Sequence, residues 1–549
     1  MENEIEHRKG ILKWLPLAIL SLALTIIILD TTILNVSLRA IIQDLHTDIQ
    51  SMQWVITAYS LMLAAFTITG GRLGDLFGRK KMFAVGAIIF AIGSFITSIS
   101  PTVGYMIAGE AIIEGIGAAL MLPATTSLLV SNYKGRDRQI GFGIWGAIAG
   151  ASAAIGPVVG GWLTTYFSWR WAFRINVVVA ILLVIGSTFI MEMKDKEEKP
   201  TIDFVGILLS AVGMFTLVFG FIKASTYGWL TMKEAVTIFG FKYAQNQLSL
   251  VPILIFLGLI ILGIFALWEN HMTKSGRTPL VSLSLFKNSQ FTLGILITAI
   301  LALGQSGVMF AIPVFLQGVN HLDALSTGFA MLPMTLTLLV ASPLSAVVSK
   351  NIAPKRIIQI GLVLNVIALI VLRASISIGA TAWSLAPGFI LFGAGFGLMI
   401  SQISNISMSA VSVEESGEAS GVNGTMRQVG STLGSAIMGA VLLSVLTSSL
   451  ISGVNKSTII PNNAKATVSS MVSSQTSNIE FGIGNNVANR TMPLQIGQEI
   501  TRISQQATVD ANRATLLIGV FFILLGLALS TKLPNSKNIE TSRSAASPH

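Results

Sequence analysis

The sequence predicts an all-α polytopic membrane protein with fourteen transmembrane helices, and three observations lead there. Of its 549 residues 52% are hydrophobic and only 11% charged, with a mean hydropathy of +0.74, whereas a water-soluble chain of this length needs far more charge to cover its surface. The apolar residues fall into fourteen runs of the length, roughly 20 residues, that crosses a hydrocarbon core of about 30 Å as a helix satisfying its own backbone. The basic residues lie between the runs and are unevenly shared: with the N-terminus inside, 23 of the 35 Lys and Arg fall in inward segments. That bias predicts a multi-pass protein of the cell membrane with both termini cytoplasmic. It also accounts for the net charge of +10 without a nucleic-acid partner.

The elements follow in order. Met1 to Lys13 is polar, and the run after it, span 1 at 14–38, is too long for a signal-peptide core and reads as a retained span. It carries Asp30 at a depth of about 12 Å from its outer end, followed by Asn35. Span 2 (52–71) holds Trp54 and Tyr59, and span 3 is placed at 82–99. Between them lies Gly71-Arg72-Leu73-Gly74-Asp75-Leu76-Phe77-Gly78-Arg79-Lys80-Lys81. Its glycines allow a tight turn and close helix approach, Asp75 can accept hydrogen bonds at a helix N-terminus, and its cations suit the cytoplasmic side. Span 4 (104–130) contains Glu110 and Glu114, four residues apart and so on one helical face. Glu114 lies at the same depth as Asp30, roughly 13 to 15 Å from the outer end. Carboxylates this close disfavour joint ionisation, so at least one holds a proton near neutral pH. Charge inside a span is costly and usually functional, which makes Asp30, Glu110 and Glu114 the leading site candidates.

Span 5 (140–163) reads from Gly143 through Trp145 to Gly156-Pro157-Val158-Val159-Gly160-Gly161, a density of small residues that lets neighbouring helices pack closely. Span 6 (172–192) follows Ser168-Trp169-Arg170-Trp171. Spans 7 (203–223) and 8 (249–268) flank an outer segment, 224–248, with an amphipathic stretch. Span 9 (290–316) offers Gln305, Met309 and Phe310; spans 10 and 11 are placed at 325–348 and 357–375. Span 12 (382–406) offers Gln402 and Asn405. Span 13 is placed at 428–450 and span 14 at 514–531. Arg373 and Arg427 then sit at membrane boundaries, where snorkelling is the default. The segment 451–513, rich in Ser, Thr, Asn and Gln, suits a disordered spacer or short interfacial or paired helices equally.

The 71–81 segment resembles the signature loop of the major facilitator superfamily. By that resemblance Gly71, Arg72, Gly74, Asp75, Gly78 and Arg79 form a cytoplasmic gate motif. The ending of span 5 is similar to the antiporter motif of exporters in that superfamily, carried here by Gly143, Gly156, Pro157, Gly160 and Gly161. Leu29 to Leu38, Gln53 to Tyr59, Ser168 to Asn176 and Arg427 to Gly430 are similar to segments of the fourteen-helix drug:proton antiporters, the EmrB/QacA subfamily. The resemblance implies two six-helix bundles with two inserted helices: 1–195 as the N-terminal bundle, 196–288 as the insertion, 289–535 as the C-terminal bundle and 536–549 as a cytoplasmic tail. It also implies proton-coupled export of hydrophobic, often cationic, small molecules. Where the family pattern has an arginine in span 4, this chain has Ala111, and Glu114 takes the glutamine position, so the proton role is assigned to the glutamates. Trp54, Tyr59, Trp145, Asn35, Gln305, Met309, Phe310, Gln402 and Asn405 are the candidate cavity wall, where aromatic faces suit cations.

Other readings of the same scaffold are export of one metabolite, lipid or siderophore, or an uncoupled receptor or channel. The sequence predicts no enzyme: there is no phosphate-binding Gly-Lys-Ser/Thr loop and no domain large enough for an ATPase. Cysteine is absent, and the five histidines lie in tails or loops without ligand spacing, so neither metal nor cofactor is expected. The expected partners are small substrates, protons and the lipid bilayer, for a monomeric chain.

Overall fold

The computed structural model describes residues 11–534 apart from 48, 192–202, 233–235, 239–240, 245–246, 278, 321, 323, 413–414, 463–464 and 467–493. The tail 536–549 and the 195/196 boundary lie outside the described residues. Fourteen long helices dominate. The first six are α1 (Ile11–Asp44), α2 (Ile49–Phe77), α3 (Arg79–Ser98), α4, α5 (Gly135–Tyr166) and α6 (Arg170–Ser187). Of these, α4 is continuous from Val103 to Asn132 but changes winding, with a π-helical stretch at Ile107–Glu114. Next come α7 (Phe204–Tyr227) and α8 (Leu250–Lys274). The last six are α9 (Ser289–Gly318), α10 (Ala324–Val348), α11 (Pro354–Ser375), α12 (Ala382–Ser409), α13 (Ser416–Lys456) and α14 (Leu494–Ser530). Thirteen of the fourteen are long and apolar enough to cross a membrane by length and composition alone. The other, α5, is the helix rich in glycine and alanine. Large apolar side chains such as Ile88, Phe95, Phe256 and Leu267 stand exposed on the outside of the bundle, as lipid-facing positions require.

The packing repeats. In the first six helices α1 packs on α5 and α6, α3 on α4 and α6, and α2 on α4. The same pairs recur eight helices later: α9 on α13 and α14, α11 on α12 and α14, and α10 on α12. Among the described residues four main contacts join the bundles, α5 with α10 and α12 and α13 with α2 and α4, and these exchange under the same shift. The inserted α7 and α8 pair with each other, and α7 lies against α2 and α13. Alternate helices run in opposite directions, so the chain has one face bearing Lys80, Lys81, Lys134 and Arg136, the basic face, and an opposite face.

The structure corrects several boundaries. The Gly71–Lys81 segment is not a loop: its first seven residues are the last two turns of α2, and the turn is Gly78 alone, with φ of 99°. That positive φ suits glycine, because a Cβ there meets the preceding carbonyl. Span 13 begins at Ser416 rather than near 428, which moves Arg427 from the membrane boundary to about three turns inside α13. The outer segment 451–513 is shortened from both ends, since α13 runs to Lys456 and α14 starts at Leu494. The two extensions are paired: Ser457 Oγ donates to Glu499 Oε1 at 3.0 Å, and Ile503 packs over Gly453. Between α7 and α8 the chain forms a two-stranded antiparallel hairpin, β1 (Val236–Ile238) with β2 (Phe241–Tyr243), where the sequence suggested only an amphipathic stretch.

Candidate functional site: a buried acid cluster beside an inter-bundle cavity

Asp30 of α1 and Glu110 and Glu114 of α4 meet inside the first bundle, each with an oxygen within 4.8 Å of the other two. Asp30 is 2% exposed and both glutamates are fully buried. The cluster is held from two further helices. Asn176 Nδ2 of α6 donates to Asp30 Oδ1 at 2.9 Å and to Glu114 Oε1 at 3.3 Å, and Ser94 Oγ of α3 donates to Glu114 Oε1 at 2.6 Å. Four oxygens are left without a partner: Asp30 Oδ2, Glu114 Oε2 and both of Glu110. No basic side chain pairs with any of them among the described residues.

Winding explains the meeting. The i→i+5 bonds of Ile107–Glu114 widen α4 just where both glutamates sit, so both turn towards Asp30. Across from the widened turn α3 presents Gly93, where a Cβ would lie 2.6 Å from both Gly109 O and Glu114 N, so only glycine lets α3 close over it. Three carboxylates in this space cannot all stay ionised and unpaired without several kcal/mol of repulsion and desolvation. The triad's geometry is also that of a cation site. Without a basic neighbour it is neutralised by protons, by an ion or by a cationic ligand.

Beside the cluster, between the bundles, is a cavity of about 320 Å³. Of the predicted wall residues, Tyr59, Trp145, Gln305 and Met309 line it. Trp54 does not: it stacks on Phe219 of α7 at 5.8 Å with Lys223 4.0 Å above its ring, so it lies against the inserted α7 instead of the cavity. Gln402 and Asn405 point into the second bundle, Gln402 donating to Ser345 Oγ at 3.3 Å, while Phe396, Ile400, Ile403 and Ser404 form the cavity face of α12. Helical periodicity separates the two sets. The side chains of Asn35 and Phe310 lie outside the described residues. Arg427, expected at a boundary, lines the cavity instead, its guanidinium 5.9 Å from the Trp145 ring centroid.

The cavity is closed at the basic face. Asp75, near the end of α2, accepts the N–H of Gly417 at 3.1 Å and of Glu418 at 2.7 Å, a carboxylate seated on the N-terminus of α13. Arg79 binds the same carboxylate at 2.9 Å, and Arg72 lies 3.7 Å from Glu418. Gly71 has no room for a Cβ, which would fall 2.4 Å from Gly417 O, so α2 and α13 touch backbone to backbone. Of the other motif glycines, Gly74 faces Arg79. Further bonds join the bundles in this half: Thr126 with Ser420, Ser420 with Pro123 O, Ser342 with Gly143 O at 2.7 Å and Ser349 with Gln139 at 2.9 Å.

The glycines of α5 divide between two partners. Gly143, Gly146 and Gly150 meet Ser342, Ile400 and Leu338 of the second bundle, while Gly156 and Gly160 meet Thr32 and Ile33 of α1. The helix continues through Pro157 to Tyr166, and Gly161 is half-buried beside it. One small-residue helix therefore touches the other bundle with its basic half and its own bundle with the rest.

Comparison with known proteins agrees with this architecture. The family model described as Major Facilitator Superfamily matches residues 20–435. A tetracenomycin C resistance and export protein of Streptomyces glaucescens is 30% identical over 430 residues, 77% of this chain and 75% of that protein. The multidrug efflux pump LfrA of Mycolicibacterium smegmatis is 27% identical over 430 residues, 77% of this chain and 80% of that one. The human organic anion transporter MFSD10 (TETRAN) shares the fold with a TM-score of 0.53 at 13% identity, over 93% of this chain and 98% of its own. With two repeated six-helix bundles and a match over most of its length, the chain belongs to the major facilitator superfamily.

Proposed function

We propose that this protein exports hydrophobic, often cationic, drug-like molecules in exchange for protons, by alternating access of one central cavity. The observation that carries this is the triad of Asp30, Glu110 and Glu114, buried with four unpartnered oxygens next to a cavity closed at the basic face. The basic face is taken as cytoplasmic by the charge bias, so the described state has its cytoplasmic side shut. Relatives named for antibiotic export and multidrug efflux support the direction and the substrate class. The chain works as a monomer in the cell membrane with both termini inside, and does no covalent chemistry. Residues 1–195 and 289–535 act as the two moving bundles and 196–288 as the inserted pair.

The cycle follows from charge. Protons enter the triad from outside, and neutralising it lowers the cost of closing the bundles around it. On the cytoplasmic side a substrate entering the cavity displaces a proton, directly if cationic, since the triad then gains a counter-charge. Neither the doubly charged nor the empty ionised state crosses cheaply, so the two fluxes are exchanged rather than leaked. In the closed-inside state Asp75 and Arg79 clamp the gate against α13, and that clamp releases when the bundles rock.

Everted vesicles supplied from outside with a panel of cationic and neutral dyes test this. Several unrelated dyes should accumulate when a proton gradient is imposed, stop when a protonophore is added, and lose gradient dependence in Glu110→Gln and Glu114→Gln. Unchanged coupling in both single variants and the double variant sinks the assignment, and transport of one dye alone would favour a dedicated exporter.

A further inference from the structure

The cavity holds a recognition element that the proton triad does not explain. Arg427 is the single charged residue among those lining it, and no carboxylate pairs with Arg427 among the described residues. A guanidinium is permanently charged and costly at this depth. Trp145 offsets part of that cost through its ring face. Trp145 and Tyr59 line the same space, 4% and 2% exposed, and each buries a donor, Nε1 and Oη, that has no partner. Arginine can only donate hydrogen bonds, and no residue lining the cavity offers its charge an anion.

We infer that Arg427, beside the Trp145 ring, forms an acceptor-binding subsite that seats an anionic or strongly accepting group, a carboxylate or phenolate, on one end of an aromatic, drug-sized ligand. A guanidinium left unpaired in the cavity penalises a ligand without such a group, and that penalty is the source of selectivity. The subsite is separate in depth from the acids. From the shared contact of Thr126 with Ser420, Arg427 stands about 10 Å along α13 and Glu114 about 18 Å along α4. A ligand anion on Arg427 is neutralised there, while the rest of the molecule, cationic or neutral, extends towards Tyr59 and the triad. The ligand class is thus amphoteric or acidic aromatics as well as simple cations. The inference rests on the export reading only for the direction of transport.

Equilibrium binding to the detergent-solubilised full chain, with empty micelles as blank, needs no gradient and so separates the two claims. The probes share one aromatic body: pyrenebutyrate, pyrenebutanol and a pyrenylalkyl-trimethylammonium. Wild type should bind the butyrate at least about tenfold more tightly than the alcohol, the increment of a charge-assisted hydrogen-bond pair. Arg427→Gln should bring butyrate and alcohol within twofold of each other, and Arg427→Lys should keep part of the preference. Equal binding of butyrate and alcohol by wild type overturns the inference with no variant needed. So does a loss in Arg427→Gln that falls equally on all three probes.

Discussion

Asp44 shows how a single side chain can be made indifferent to an acid exterior. It ends α1, where Trp169 Nε1 donates to its carboxylate at 3.1 Å and Arg170 pairs with it, while Arg170 also reaches Ser100 O at 3.1 Å. The Arg170 guanidinium, with Trp169 assisting, holds the Asp44 carboxyl below the usual carboxylate range. Because the folded value lies below the unfolded one, the clasp contributes fully above about pH 4 and weakens only as pH falls through the lowered value. Asp44→Asn should therefore lower the thermal midpoint slightly, on the order of 1 °C for an exposed pair. Thermal scans from pH 8 downwards should show a constant gap that closes below about pH 4; a gap that closes at pH 6 would assign the effect to another group. The residues of this clasp stood out in the sequence as Ser168-Trp169-Arg170-Trp171, but their partner did not, because nothing local ties position 44 to position 170. Asp30 and Glu114 were legible for a different reason: charge at depth is rare, and equal depth on two helices suggests a meeting. Arg427 was not, since the Ser, Gly and Asn of 416–427 lower the hydropathy and disguise the first three turns of a helix.

At the scale of the element, α4 departs most from what its sequence conveys. Spacing of four residues put Glu110 and Glu114 on one face of an α-helix, and the structure keeps them neighbours through a π-helical stretch instead. No residue type announces such a stretch; it is the extra residue of a wide turn, accommodated because Gly93 lets α3 approach. Deleting Ala111 should return the turn to α-helical winding and swing Glu110 away from Asp30. The expected outcome is a folded transporter, monodisperse and with a thermal midpoint near that of wild type, whose dye transport has lost most of its proton dependence, by about tenfold or more as for loss of a positioned proton carrier. Full coupling in that variant would make the wide turn incidental. The inserted pair is tied to the gate by a comparable detail. Glu269 of α8 accepts the N–H of Val281 at 3.2 Å, and the next residue, Ser282, donates its N–H to Glu418 beside Asp75. The linker after α8 thus touches the clamp that joins α2 to α13, which an insertion placed by hydropathy alone does not reveal.

Over the whole molecule the repeat governs what can move. The pairs within each bundle recur under the eight-helix shift, but two inter-bundle contacts that exchange under it, α5 with α10 and α2 with α13, are built differently: one from glycines against Ser342 and Leu338, the other from Asp75 on a helix terminus. Fourteen runs and their charge bias made the architecture legible. The closed basic side was not, since conformational state is decided by contacts between residues hundreds of positions apart, as between Thr126 and Ser420. Those two side chains touch across the bundles, and the chain has no cysteine of its own, so a pair introduced there contains the only thiols. Thr126→Cys with Ser420→Cys should oxidise to an intramolecular disulfide in the described state, since contacting side chains on facing helices bring Cβ atoms near the roughly 4 Å that a disulfide spans. Bundles locked at this level cannot open to the cytoplasm, so oxidation should abolish dye export and reduction should restore it, with each single variant unaffected by oxidant. A crosslinked protein that still exports would show that substrate does not pass between Thr126 and Ser420, and the alternating-access cycle would have to open elsewhere.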